Sequence, residues 1–271
     1  MTYVVLGSSG FVGSHIAKAL ADSNPVLTHH QNPRHPGSIK FDVFNDTPDF
    51  LPEPPATIIL ASAIEFEPEK QVEAAMRRLL PFLESYRLVY LSSDGIFDGD
   101  EGNYSETDVP KPKTLYGRNL LTCETLIRDS LADYLIVRPS YVYGEADALD
   151  KRLQKVKAAL NNGEELYFFE DMYKSPLGVG EVARAVTGLA KSTHTGTLHI
   201  AGERMSIYDF YRRAMTALGM DASKLLARAM PDKPEFLRDT SLDSSKAWES
   251  LGWRPRSIEE VFSQSKSTAN R

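Results

Sequence analysis

A glycine-rich turn directly after a short apolar run constrains the fold of this chain more than any other feature. Thr2–Leu6 has the β-branched, apolar composition of a buried strand, and the next residues place glycines at Gly7, Gly10 and Gly13. An amphipathic helix is predicted from Phe11 onward. A strand, a glycine turn and a helix in this order predict a dinucleotide site, in which the N–H groups of the helix N-terminus receive a diphosphate.

Each glycine of this turn has its own task if the turn binds a diphosphate. Gly7 makes the tight bend out of the strand, Gly10 lets the backbone approach a phosphate, and Gly13 lets the helix pack closely on the strand. Two residues separate the first pair of glycines, whereas the usual pattern has one. A glycine turn that serves packing alone therefore stays open. A nucleoside-triphosphate loop is disfavoured, because no Gly-Lys-Ser/Thr sequence follows.

Strand and helix patterns alternate along the chain as far as Gly144. Further strands are predicted at Val26–Thr28, Ile39–Val43, Thr57–Ala61, Leu88–Leu91 and Tyr134–Val137. Helices are predicted at Phe11–Leu20, at Glu69–Tyr86 with a kink or break at Pro81, and at Thr114–Leu131. Such alternation indicates βαβ units and therefore a parallel sheet with helices on both faces.

Beyond Gly144 the alternation loosens, and the patterns indicate a smaller lobe. The predicted elements are helices at Lys151–Leu160, Val182–Ala190 and Ser206 to about Leu218, and strands at Leu166–Phe169 and Thr197–Ile200. The predicted fold class is α/β, a Rossmann-like doubly wound parallel sheet with a smaller mixed C-terminal substrate lobe. We expect a dinucleotide-binding core at residues 1–144 and a mainly substrate-binding lobe at 145–271, with segments returning to the core left open.

Composition and charge exclude several other classes of protein. The 271 residues carry a net charge of -6, which argues against a general binder of nucleic-acid backbones. Cys123 is the only cysteine, so an intramolecular disulfide and a cysteine-rich zinc module are excluded. No apolar run has the roughly 20 residues of a membrane helix, and no signal-peptide pattern is visible. We expect a cytoplasmic protein without nucleic-acid or membrane partners, and a homodimer stays open.

The residues after the second predicted strand bear on which dinucleotide would bind. An NAD site usually has Asp or Glu there, whose carboxylate binds the ribose 2′-hydroxyl. Residues 29–34 include no carboxylate to repel a 2′-phosphate, and Arg34 could pair with one. NADP is therefore favoured, NAD stays open, and an ordinary polar loop is the alternative. Asp42 is expected to hydrogen-bond the adenine. No metal site is expected, since no carboxylate or cysteine completes a ligand set with the nearby histidines.

Several further segments complete a pattern that resembles a known superfamily. They are Leu91-Ser92-Ser93-Asp94-Gly95-Ile96-Phe97-Asp98-Gly99, Tyr116-Gly117-Arg118, Arg138-Pro139-Ser140-Tyr141-Val142-Tyr143-Gly144, Arg238–Asp243 and Leu251-Gly252-Trp253. With the glycine turn they resemble extended short-chain dehydrogenases/reductases, and the nearest branch looks like dTDP-4-dehydrorhamnose reductase and its relatives. In that branch a Ser-Thr-Asp-x-Val-Phe-x-Gly stretch precedes a helix beginning Tyr-Gly-x-x-Lys. The resemblance covers nearly the whole chain.

The resemblance implies roles for two catalytic residues. Ser93 would hydrogen-bond the substrate oxygen, and Tyr116 would pass a proton to or from it while the nicotinamide carries the hydride. The lysine of the family motif lies one helical turn after the tyrosine, where it lowers the pKa of the phenol and holds the nicotinamide ribose. In this chain that position is Leu120, so the expected ammonium is missing.

Neighbouring residues are expected to substitute poorly for this lysine. Arg118 lies roughly 200° around the helix from Tyr116, and Asn119 has no charge. Lys111 and Lys113 precede the helix and would have to fold back. Loss of positioned acid–base catalysis costs roughly 10²–10⁴ in rate. Leu120 therefore leaves both a catalytic and a non-catalytic function to be considered.

Two classes of function follow. The first is an NADP-dependent reductase of a nucleotide sugar or similar carbonyl substrate, with Ser93 and Arg238 as substrate contacts; a surface ion pair is the alternative for Arg238. The second is a non-catalytic NAD(P)-binding regulatory or sensor protein. An epimerase or dehydratase uses the same tyrosine and lysine and is a further alternative. The loop at Met172–Ser175 could cover a substrate or be an ordinary connection. The predicted cofactor-binding residues are Gly7, Ser9, Gly10, Phe11, Val12, Gly13, Arg34, Asp42, Ala61 and Tyr116.

Overall fold

The computed structural model describes residues 1–146, 148–233 and 236–263. The strands in these ranges are β1 (Thr2–Leu6), β2 (Val26–His29), β3 (Ile39–Lys40), β4 (Ala56–Leu60), β5 (Arg87–Leu91), β6 (Tyr134–Pro139), β7 (Val142–Tyr143), β8 (Leu166–Phe169), β9 (Tyr173–Lys174), β10 (Leu177–Gly178), β11 (Gly196–Ile200), β12 (Met205–Ser206) and β13 (Leu225–Arg228). The α-helices are α1 (Phe11–Ala19), α2 (Glu69–Leu79), α3 (Leu115–Ser130), α4 (Lys151–Asn161), α5 (Val179–Ala190), α6 (Ile207–Ala217), α7 (Ser245–Leu251) and α8 (Ile258–Ser263).

The main sheet has the strand order β11-β6-β5-β4-β1-β2-β3, and every neighbouring pair in it is parallel. The chain winds outward from β1 in one direction through β2 and β3, and in the other through β4, β5 and β6. The winding reverses between β1 and β4, and the crevice at the carboxyl ends of such strands is where ligands bind in open α/β sheets. The predicted Rossmann-like doubly wound sheet is confirmed.

The side chains of β1 point alternately to the two faces of the sheet, which explains why each face has an apolar core. Val4 and Leu6 pack into one apolar cluster with residues of α2 and α3, and Tyr3 and Val5 pack into a second cluster with residues of α1 and α5. Successive side chains of a strand point to opposite faces, so one apolar run supplies both clusters. Both faces of the sheet are therefore covered, as a parallel sheet requires.

Residues beyond 144 divide between the sheet and a smaller body. β11 extends the main sheet beside β6, and α5 packs against α1. A third apolar cluster joins residues of α4, α6 and α8, and β8 pairs with β13 beside it. β11 and α5 are thus segments that return to the core, while the division of the chain at residue 144 stays a prediction.

One predicted break is confirmed and one predicted strand is shortened. The helix pattern at Glu69–Tyr86 was expected to kink or break at Pro81, and α2 ends at Leu79, with Pro81 in a separate 3₁₀ turn at Leu80–Leu83. Proline has no N–H to donate to the preceding turn, so the α-helix stops two residues before it. The third strand is shorter than predicted, because Asp42 begins a turn closed by its own side chain. Among the helices of the described ranges, none combines the length and hydropathy needed to cross a bilayer.

Candidate active site

The glycine turn after β1 is held closed by backbone contacts that leave no room for side chains. Gly7 has a φ of 84°, and a Cβ there would lie 2.7 Å from Ser62 Oγ. A Cβ on Gly13 would lie 2.2 Å from the carbonyl oxygen of Gly7. Both positions therefore need glycine for packing, as predicted for the bend at Gly7 and the helix–strand contact at Gly13.

Gly10 differs from the other two glycines because its surroundings are more open. A Cβ there would meet the carbonyl oxygen of Gly7 at 3.3 Å. Gly10 is the N-cap residue of α1 and has no side chain to bond the first N–H groups of the helix. These donors and the positive end of the helix dipole are free to receive an anion.

A cavity of about 600 Å³ opens beside the turn, between the carboxyl ends of β1 and β4 and the residues after β3. Its lining contains most of the predicted cofactor-binding residues: Gly7, Ser9, Gly10, Phe11, Val12, Asp42 and Ala61. We call this cavity the glycine-turn crevice. A free helix N-terminus at the switch point of a parallel sheet fits a dinucleotide diphosphate. Gly13, Arg34 and Tyr116 are not among the lining residues.

One basic side chain that follows β2, His30, faces this crevice, and a second, Arg34, lies outside its lining. The Nε2 atom of His30 lies 3.7 Å from the Asp42 carboxylate. Arg34 is exposed and makes no hydrogen bond or ion pair with any residue in the described ranges. Asp42 uses its carboxylate within its own turn, accepting from Phe44 N at 2.9 Å and Asn45 Nδ2 at 2.6 Å. Burial opposes ionisation of Asp42, but these hydrogen bonds hold its pKa below the usual range.

Ser93 and Tyr116 come together at the carboxyl end of β5. Ser93 caps a short 3₁₀ turn at Asp94–Ile96 and accepts a hydrogen bond from Gly95 N at 3.3 Å. Tyr116 lies in the first turn of α3, where the Thr114 side chain caps the helix by accepting from Gly117 N. The Tyr116 ring packs against Gly95, two residues after Ser93, and the Ser93 hydroxyl is close enough to the phenol to oppose the rise in its pKa. The structure thus brings together the two residues predicted to be catalytic.

Buried ion pairs fix α3 against the strand ends that carry this site. Glu124 of α3 accepts hydrogen bonds from Arg138 Nε at 2.8 Å and from Ser92 Oγ at 2.6 Å. Arg138 is almost fully buried at the end of β6 and also contacts His199 of β11 at 3.2 Å. Because Ser92 precedes Ser93, this network sets the position of α3 relative to β5.

Leu120 occupies the position of the missing lysine and belongs to the core. Its side chain is 1% exposed and packs in the cluster between α2, α3 and the sheet. Burial raises the pKa of Tyr116 above the ordinary value of a phenol; contact with Ser93 opposes this, while the carboxylates of Glu65 and Asp94 add to it. The Tyr116 phenol therefore stays protonated at neutral pH.

The nearby polar residues of α3 and its preceding loop are engaged elsewhere. Lys113 pairs with Asp100 at 2.5 Å, and Arg118 donates to the carbonyl oxygen of Lys113. Asn119 is buried and donates to the carbonyl oxygens of Glu65 and Glu67, both at 2.8 Å. Their contacts are with the loops around α3, and none of these three replaces the lysine beside the phenol.

Sequence reasoning assigned no role to three residues that surround Ser93 and Tyr116. Glu65 is buried after β4 and accepts from Tyr90 Oη at 2.6 Å; burial raises its pKa to about 7. Asp94 is buried directly after Ser93, and Lys174 of β9 reaches it at 3.0 Å. Only the Ser-Ser-Asp run hinted at Asp94, and Lys174 had no local signal because its partner lies 80 residues away in sequence.

Arg238, a predicted substrate contact, is exposed and pairs with Asp171. This is the surface ion pair that the sequence left open as the alternative. No group of three or more His, Cys, Asp or Glu side chains that could hold a metal ion occurs within residues 1–146, 148–233 and 236–263.

The fold and the site together define the class of this protein. A doubly wound sheet with a glycine turn after its first strand, and a serine beside a helix-borne tyrosine at the end of β5, are the features of an extended short-chain dehydrogenase/reductase. The family model for the RmlD substrate-binding domain matches residues 56–266, and the chain belongs to that family.

Individual relatives are more distant. The chain is 32% identical over 180 residues to a probable low-salt glycan biosynthesis reductase of Haloferax volcanii, covering 64% of this chain and 60% of that protein. It is 29% identical over 180 residues to methionine adenosyltransferase 2 subunit beta of Rattus norvegicus, covering 61% of this chain and 52% of that protein. The chain thus spans only half to three fifths of the length of these relatives.

The solved structures include a crystal structure of a hypothetical dTDP-4-dehydrorhamnose reductase from Sulfolobus tokodaii. It superposes with a TM-score of 0.80 at 26% identity, covering 96% of this chain and 98% of that one. Almost the whole chain, including the smaller lobe, therefore shares the arrangement of that structure.

Proposed function

We propose that this protein is an NADPH-dependent reductase that acts on the keto group of a nucleotide sugar. The observation that carries the proposal is that Ser93 and Tyr116 lie side by side at the carboxyl end of β5, where the Tyr116 ring packs on Gly95 of the turn that Ser93 caps. They share the edge of the sheet that carries the glycine-turn crevice. The names of the relatives from Haloferax volcanii and Sulfolobus tokodaii, both reductases, support the same class of reaction.

The crevice residues would hold the cofactor. The N–H groups at the start of α1, next to Gly10, are placed to bind its diphosphate. His30 and Arg34 offer basic groups near the end of β2, where no carboxylate of residues 29–34 would repel a 2′-phosphate. These residues favour NADPH over NADH. When bound, the nicotinamide supplies the hydride.

Ser93 and Tyr116 would supply the hydrogen bond and the proton. Reduction of a ketone to an alcohol requires one proton at the carbonyl oxygen, and a protonated phenol next to a serine hydroxyl can provide it. Burial and two carboxylates keep Tyr116 protonated. Tyr116 therefore holds the proton that reduction needs, and its raised pKa makes it a weaker acid than a phenol with a lysine beside it.

The protonation state of Tyr116 bears on the epimerase or dehydratase alternative. Both reactions begin by oxidising a sugar hydroxyl, a step in which the tyrosine must accept a proton as phenolate. The raised pKa of Tyr116 disfavours the phenolate, and Leu120 supplies no charge to stabilise it. Reduction is therefore the reaction for which Tyr116 is already in the required protonation state.

A non-catalytic nucleotide-binding subunit is the second candidate function. Leu120 in the core favours it, because the ammonium that assists the tyrosine in the family motif is absent. The relative from Rattus norvegicus is named as a subunit of a transferase rather than as a reductase. In this case the glycine-turn crevice would bind cofactor without turnover. A cytoplasmic location stays a prediction, and the oligomeric state stays open.

Two measurements on the purified protein separate the candidates. Isothermal titration calorimetry with NADPH and NADH tests the crevice, and loss of absorbance at 340 nm with dTDP-4-dehydrorhamnose as probe substrate tests turnover. The reductase proposal expects NADPH to bind more tightly than NADH and Tyr116→Phe to abolish turnover while binding persists. NADPH binding without turnover on this or other 4-keto nucleotide sugars would favour the regulatory subunit.

A further inference from the structure

The carboxylate of Asp94 is the centre of a buried polar cluster directly behind Ser93. Its Oδ1 accepts from Ser93 Oγ at 2.9 Å. Its Oδ2 accepts from Thr240 Oγ1 at 2.7 Å, from Ser140 Oγ at 2.9 Å and from Lys174 Nζ at 3.0 Å. These groups come from four separate parts of the chain, so the cluster is built by the tertiary fold. Four donors on one carboxylate favour its ionised form.

The hydrogen bonds of the cluster have a definite direction. Ser93 has a single hydroxyl hydrogen, and it is directed at Asp94. The Ser93 oxygen is then the acceptor for Gly95 N at 3.3 Å. Polar contacts therefore link Ser93, which lies beside Tyr116, to Asp94, and Asp94 in turn to Lys174.

Lys174 also supplies charge that α3 lacks. Two carboxylates, Glu65 and Asp94, act on Tyr116, and both disfavour its phenolate. The Lys174 side chain is 12% exposed and pairs with Asp94 on the side opposite Ser93. It thus offsets one of the two negative charges near the phenol, at a site where the helix carries Leu120 instead of a cation.

We propose that Lys174 is a positioning residue of the reductase: it fixes Asp94, and through Asp94 it orients the Ser93 hydroxyl beside Tyr116. The inference rests on the proposed function, because it assigns a task within that reaction. It also gives the Met172–Ser175 segment a role beyond that of an ordinary connection. Lys174 acts through Asp94, and Ser93 and Tyr116 remain the groups that would touch the substrate.

A purely structural ion pair between β9 and the end of β5 is the competing explanation, and the chain offers a matched control for it. Lys246 pairs with Glu106 at 3.1 Å, and the Glu106 side chain is 7% exposed, as is that of Asp94. Lys246→Met therefore breaks a lysine–carboxylate pair of similar length and carboxylate burial, with a more exposed lysine (55% against 12%). This pair has no contact with Ser93 among the described residues.

The test compares Lys174→Met, Lys174→Arg and Lys246→Met by thermal unfolding and by kcat and KM for NADPH and dTDP-4-dehydrorhamnose across pH. Lys174→Met is expected to lower kcat by about 10- to 100-fold, the usual range for lost positioning of a reacting group. KM for NADPH should change less than about twofold, because no crevice-lining residue is altered. Lys174→Arg should recover most of kcat, and Lys246→Met should keep it.

The pH profile adds a readout that a structural role would not move. Without Lys174 the buried Asp94 carboxylate loses its cation and takes up a proton at higher pH, so the acid limb of the kcat profile should shift upward. Glu65, with its own raised pKa, contributes equally in all variants. If Lys174→Met fails to fold, the double variant Asp94→Asn with Lys174→Met removes both charges together. It should fold and still show the lowered kcat.

Unchanged kcat and an unchanged pH profile in folded Lys174→Met would overturn the inference and leave the pair purely structural. A wild type without turnover would instead refute the proposed function. In that case crystal structures of wild type and Lys174→Met decide: the inference requires the Ser93 hydroxyl to leave Asp94 in the variant. A Ser93–Asp94 hydrogen bond that persists would overturn it.

Discussion

Replacing Leu120 with lysine restores the position that the family motif assigns to an ammonium. Leu120 lies one helical turn after Tyr116 on α3, so a lysine there shares the face of the phenol. Its charge would oppose the effects of burial, Glu65 and Asp94, which together raise the pKa of Tyr116. The full effect of positioned acid–base catalysis is roughly 10²–10⁴ in rate, and we expect kcat/KM at pH 7 to rise by about 10²-fold.

The same substitution should make the protein less stable. Leu120 is 1% exposed, and loss of a buried leucine costs about 1.5–3 kcal/mol. Desolvation of the ammonium adds to this cost, and the Glu65 and Asp94 carboxylates offset part of it. A loss of about 2 kcal/mol corresponds to a Tm lower by roughly 4–8 °C. Higher activity together with lower stability is a combination that general stabilisation of the fold cannot produce.

The assay is NADPH oxidation followed at 340 nm with dTDP-4-dehydrorhamnose, combined with thermal unfolding and calorimetric NADPH binding. Leu121→Lys is the matched control, because it places the same charge about 100° further around the helix. The reasoning is refuted if Leu120→Lys folds and binds NADPH but gains no activity over the wild type. Tyr116 would then not depend on a charge at position 120.

Three further predictions test other parts of the structure. Burial raises the pKa of Glu65 to about 7 in the folded protein, against 4.5 for the free side chain. Ionisation of Glu65 therefore lowers the free energy of unfolding by about 3 kcal/mol as pH rises from below 4.5 to above 7. Urea unfolding at pH 5 and pH 8 should show a smaller pH dependence for Glu65→Gln than for wild type. Gly13→Ala should lower Tm by several degrees, since its Cβ would lie 2.2 Å from a backbone oxygen, whereas Gly10→Ala should nearly keep Tm and weaken calorimetric NADPH binding about tenfold; equal Tm values would contradict this. Arg34→Ala should weaken NADPH binding about tenfold and leave NADH binding unchanged, and equal losses for both cofactors would exclude contact with the 2′-phosphate.

Local sequence patterns were sufficient to predict those parts of the fold that neighbouring residues determine. The apolar run of β1 and the glycines after it predicted the strand, the turn and the start of α1, because strand burial and helix–strand packing act over a few residues. The resemblance named Ser93 and Tyr116 as a catalytic pair, and the structure brings both to the carboxyl end of β5, while their roles stay a prediction. Pro81 was expected to kink or break its helix because it lacks an N–H, and α2 does end at Leu79.

The parts that the sequence did not reveal depend on contacts between distant segments. Lys174 meets Asp94 only because β9 folds back onto the end of β5. Glu65 comes close enough to act on Tyr116 because Asn119 of α3 donates to the backbone of the loop after β4. The absence of the lysine was visible in the sequence. The Glu65 and Asp94 carboxylates, which raise the pKa of the phenol, were not.

A crystal structure of the protein with NADPH at saturating concentration tests the central claim most directly. The account predicts phosphate oxygens within about 2.7–3.2 Å of backbone nitrogens at the start of α1, and the nicotinamide next to Ser93 and Tyr116. NADPH absent from the glycine-turn crevice, or bound there with the nicotinamide directed away from Tyr116, would contradict it.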